Sequence, residues 1–94
     1  MTKNPLYYDV LALMDRAVVR GAASFTDADT DLLRRERDRW MEAGGADAGS
    51  TLIDSFIATT TLARGATPEH TARLDLEVLR LKSAWRDRFG PAGS

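Results

Sequence analysis

Ninety-four residues, 44% of them apolar and 29% charged, amount to one domain at most, and a chain this short buries only about 60–65% of its unfolded surface. A net charge of −1 is too balanced for disorder driven by self-repulsion, and the lack of cysteine excludes disulfide staples and thiolate metal sites. Stability must therefore come from packing or from association.

The opening stretch MTKNPLYYDVLALMDR is interrupted by Asp9 and Asp15, which does not suit a secretion signal. No segment reaches the roughly 20 apolar residues of a membrane span, so a cytoplasmic protein is expected. The stretch suits a helix instead, with Asn4 as N-cap and Pro5 at the first helical position, where a missing N–H costs nothing. Leu6, Tyr7, Val10, Leu11, Met14, Ala17 and Val18 form its apolar arc, and Gly21 supplies a left-handed stop. A second helix is expected from Thr26, with Phe25 placed to fold back over its first turns. Asp27, Asp29 and Asp31 stand where the helix dipole favours carboxylates, and the helix ends at EAGG.

The stretch GGADAGS reads as a flexible connector, with Ser50 as cap of a third helix that runs to about Arg64 and is closed by Gly65. Leu52, Ile53, Phe56, Ile57, Thr60 and Ala63 share one side, which makes this helix the central element. Its run of three threonines, 59–61, lowers intrinsic helicity, so the segment depends on burial. A fourth helix opens on TPEH, with Thr67 as cap and Pro68 first, and runs about 22 residues to Gly90. The pattern predicts an all-α fold, a small irregular bundle of three or four antiparallel helices over residues 1–90, with a frayed tail at 91–94.

The most charged run, RRERDRW (34–40), raises the question of phosphate binding. At 100° per residue its arginines spread around the helix, and Glu36 and Asp38 interrupt them. From Asp27 to Glu42 four arginines face six acids, whereas nucleic-acid binding needs uncompensated cations along a surface. A solvated helix face is the expected reading. Glu36 is the oddity, since it falls between Leu32 and Trp40 inside the apolar arc. It either reaches water at the rim or forms a buried pair with an arginine, which would serve register or partner choice.

Other patterns resemble sites but lack a required part. DADTDLLRRERD spaces its acids like a calcium loop, yet Leu32 stands where a turn glycine is needed and Arg35 where a ligand should be. GGADAGST has the glycine spacing of a phosphate loop without its lysine or a preceding strand. His70 is the single histidine, so no His-rich metal site and no Cys/His pair can form, and neither a cofactor nor a metal nor catalysis is expected.

The fourth helix carries two apolar stripes. Leu74, Val78, Leu81, Trp85 and Phe89 lie within about 80° of one another at coiled-coil spacing, and Ala72, Leu76 and Leu79 lie on nearly the opposite side. A helix apolar on two faces wants two neighbours. The expectation is a small non-enzymatic interaction protein, in one arrangement a homodimer, that binds a protein partner through this helix. Leu76, Leu79, Trp85, Phe89, Trp40 and Tyr8 are its expected contact residues. Arginine outnumbers lysine 11 to 2 and alanine occurs 14 times, a GC-rich coding bias that suits a bacterial or phage accessory factor. The alternative is a nucleic-acid-associated transcriptional regulator, in which a helical dimer would assemble arginines that are scattered in one chain.

Overall fold

A computed structural model describes residues 5–90 of the chain. It contains four helices, α1 (Pro5–Arg20), α2 (Asp27–Glu42), α3 (Asp47–Arg64) and α4 (Pro68–Phe89), with a 3-10 turn at Ala22–Ser24, and no strand among the described residues. The all-α bundle is as the periodicity requires. The expected Asn4 cap and the expected fraying of residues 91–94 lie outside the described residues.

Cross-links between helices establish the topology. The Trp85 indole N–H donates to the Tyr7 carbonyl at 3.2 Å, and the Ala22 N–H donates to Asp75 Oδ1 at 2.7 Å, so α1 and α4 run antiparallel. Arg37 reaches Asp54 at 2.6 Å and Arg64 pairs with Asp27, which sets α2 antiparallel to α3. Arg16 meets Asp29 across α1 and α2 at 3.0 Å. Helix α3 packs against α2, α4 and the 3-10 turn, and seven of its residues are buried, the central role that its apolar side implied. Thr60, 1% exposed, donates its hydroxyl proton to the carbonyls of Phe56 and Ile57, so a β-branched polar residue sits in the core with its hydroxyl satisfied.

Punctuation explains the helix ends. Thr26 caps α2 through a reciprocal box: its hydroxyl accepts from the Asp29 N–H at 3.1 Å, and the Asp29 carboxylate accepts from the Thr26 N–H at 3.0 Å. Thr67 caps α4 with Pro68 first, as expected. Gly21 has the positive φ expected of a stop, 99°, but its ψ of 145° is outside the left-handed helical basin and steers the chain into the 3-10 turn. Phe25 is 1% exposed and reaches across to α3, its ring edge-on to Phe56 at 5.8 Å.

The start of α3 corrects the sequence reading. The helix begins at Asp47 with Ala46 at the N-cap position, so GGADAGS is largely helix and Ser50 lies inside it. The cause is tertiary. The Trp40 indole N–H donates to the Ala46 carbonyl at 2.9 Å, and the ring lies over Gly45 and Gly49. A Cβ at those two positions would stand 2.4 and 2.5 Å from indole atoms, closer than atoms pack. Gly49, one of the two glycines that resembled a phosphate loop, is together with Gly45 the seat of a tryptophan.

Candidate interaction surface

The inner stripe of α4 is core. Val78 and Trp85 are wholly buried, and Leu81 nearly so. Trp85 stacks parallel on Tyr7 at 6.0 Å between ring centres, and it meets Trp40 at 5.0 Å and Phe89 at 4.8 Å. Both indole N–H groups are spent on backbone carbonyls. Trp85 and Trp40, expected as contact anchors, are therefore internal: the aromatic-rich ends of α2 and α4 supply the largest apolar surfaces in the chain, and folding itself consumes them. Phe89 is half-buried against the same cluster, with Trp40 edge-on at 5.0 Å. Burial raises the Tyr7 phenol above its ordinary value, with the nearby Arg86 opposing.

The outer stripe has the opposite fate. Leu76 is 68% exposed and Leu79 45%, and Ala72 and Ser83 beside them are exposed. The stripe thus has no cover within the described residues. On one flank the Glu77 carboxylate accepts two hydrogen bonds from the Arg80 guanidinium, which holds its pKa below the ordinary value. On the other flank Lys82 pairs with Asp15 of α1. Tyr8, 38% exposed, lines a groove between α1 and α4 with Leu11, Ala12, Asp15, Lys82 and Arg86. Of the expected contact residues, Leu76, Leu79 and Tyr8 remain on the surface.

The charged residues of the 34–39 run on α2 form a largely solvated face with local ion pairs. Arg34 pairs with Asp31, Arg37 with Asp38 and Asp54, and Arg39 with Glu36, which leaves Arg35 as the run's one arginine without an ion pair among the described residues. The Asp54 hydrogen bond raises the Arg37 pKa further. Glu36 is neither simply wet nor a link between helices. Its side chain is 14% exposed, Arg39 three residues on holds one oxygen at 3.0 Å, and Oε2 is buried without a partner. A pair inside one helix cannot fix register against another, so that role does not apply.

The acids of the calcium-like run are each engaged elsewhere, Asp27 by Arg64, Asp29 by Thr26 and Arg16, and Asp31 by Arg34. Among the described residues no three His, Asp or Glu side chains cluster as metal ligands. Two features escaped the sequence reading. The Gly45–Gly49 spacing behind Trp40 was a usable signal for a ring against a helix start. The Asp75 hydrogen bond to the Ala22 N–H had none, because it joins residues 53 positions apart. Comparison with protein-family models, curated proteins and solved structures finds no match for this chain.

Proposed function

We propose that this chain is a small, non-enzymatic protein-interaction module that docks a partner protein on the outer face of α4, the role of an accessory factor of bacterial or phage type. The supporting observation is the exposure of Leu76 and Leu79 on a stripe flanked by the Glu77–Arg80 and Asp15–Lys82 pairs. Exposed leucines aligned at helical spacing, with Ala72 and Ser83 small enough to admit a close approach, form a surface that a second helix can cover. Tyr8 of α1, which lines the α1–α4 groove beside Lys82 and Arg86, is a further exposed contact candidate.

The test is a pull-down of the tagged chain and its Leu76→Asp variant from lysate, with and without nuclease, read by mass spectrometry. A protein retained by the parent regardless of nuclease and lost by the variant supports the reading. Retention by both places the partner elsewhere on the molecule. Enrichment that disappears with nuclease favours a nucleic-acid regulator, whose binding would also fall steeply with salt.

A further inference from the structure

A cleft of about 450 Å³ opens at the α3–α4 turn, lined by Leu62, Gly65, Ala66, His70, Arg73 and Leu74. Its size is within the roughly 300–1,000 Å³ of small-molecule sites. Leu62 of α3 and Leu74 of α4 give it apolar walls, and Ala66 is half-buried at the turn between them. A Cβ on Gly65 would meet no atom within 4 Å, so that edge is open to an incoming group.

The polar side chains of the cleft are an imidazole and a guanidinium, His70 and Arg73, and no carboxylate lines it. Arg73 forms no ion pair among the described residues, although Arg64 and Arg80 on the same two helices do. The nearby acids Glu77 and Asp75 offer it little, since Glu77 is held by Arg80 and Asp75 by the Ala22 N–H. His70 is oriented. Its Nδ1 lies 3.2 Å from Thr67 Oγ1, a hydroxyl that also accepts the His70 N–H. With Nδ1 engaged by Thr67, Nε2 is the ring nitrogen left for a ligand. The first turn of α4 adds the positive end of its helix dipole.

We infer that this cleft binds a small amphiphilic anion, an aliphatic carboxylate whose chain lies between Leu62 and Leu74 and whose carboxylate is held by Arg73 with His70 Nε2 beside it. Two such side chains suit one carboxylate and are too few for a polyphosphate. The proposal is independent of the α4 outer stripe, since neither Leu76 nor Leu79 lines the cleft.

The experiment is a titration of the full chain with sodium octanoate, followed by amide chemical shifts, with octan-1-ol, octylamine and inorganic phosphate as comparison ligands. Saturable shifts confined to residues 62–74 are expected, with a Kd of about 1 mM, as befits so small a ligand. Arg73→Gln is expected to weaken octanoate by about tenfold, the scale of one charge-assisted hydrogen bond. Both polar residues are exposed, so Arg73→Gln and His70→Gln keep the parent melting temperature. Equal binding of octylamine or octan-1-ol, equal binding of phosphate alone, absence of saturable shifts, or an unchanged Kd in Arg73→Gln would each overturn the assignment. Leu76→Asp leaves octanoate binding intact, which separates this result from that of the partner surface.

Discussion

Single residues decide more in this fold than their chemistry advertises. Alanine is a better helix former than glycine by about 1 kcal/mol, so Gly49→Ala inside α3 would stabilise an isolated helix. Here the added methyl collides with the Trp40 ring, and overpacking of this kind costs about 1–3 kcal/mol. A net loss of stability in urea denaturation is expected, whereas Gly65→Ala, with open space and a φ of −111°, is expected to be neutral or slightly stabilising. Glu36 carries the opposite expectation. Its Oε2 is buried without a partner, and its pair with a half-exposed arginine contributes little. Replacing it by methionine removes the orphaned oxygen and is expected to stabilise by about 0.5–1 kcal/mol. A loss above about 1 kcal/mol would show that the carboxylate has work in the fold that this geometry does not account for.

At the scale of an element, α2 depends on its first turn. The Asp29 carboxyl is held below its ordinary value chiefly by the Thr26 N–H, with the Thr26 hydroxyl, Arg16 and Arg20 assisting against burial. A carboxylate with a lowered folded pKa stabilises above its unfolded value of about 3.9, and that contribution is lost as pH falls through the folded value. Asp29→Asn is therefore expected to cost about 1 kcal/mol at pH 7, the scale of a capping interaction. The gap to the parent should begin to narrow near pH 4 and close only once pH has fallen through the lowered folded value, where the parent carboxyl is protonated too; a pH series of urea midpoints reads it. The cap was legible because Thr26 and three acids stand together in the chain. The start of α3 was not, because Ala46 has no capping side chain and the turn is held by a ring six residues earlier.

Over the whole molecule, shape explains why α4 keeps an apolar face in water. The bundle measures 44 × 27 × 19 Å, and its shortest dimension is about two helix diameters. In two layers every helix has one side turned outward, so a helix with two apolar stripes cannot cover both. Leu76→Asp is accordingly expected to leave the melting temperature within about 4 °C of the parent, since an exposed substitution changes stability by less than about 0.5 kcal/mol. Partner binding is expected to be lost in the same variant. A large fall in melting temperature would instead mean that the stripe is covered by this chain's own fold. No described helix is long and apolar enough to cross a membrane.

The sequence by itself determined the helical type of the elements, most of their ends and the inner stripe of α4, and left their number at three or four. Those features rest on local causes, such as Thr67–Pro68, Thr26 with Asp29, and apolar residues three and four apart, which act before any tertiary contact forms. Which aromatic residues stay available to a partner was decided only by the tertiary structure. Trp40, Trp85, Tyr7 and Phe89 come from three helices, and their mutual burial depends on how those helices meet, which one-dimensional spacing does not encode. The same holds for the cleft at the α3–α4 turn, where Leu62 and Leu74 are twelve residues apart and become neighbours only when the hairpin closes.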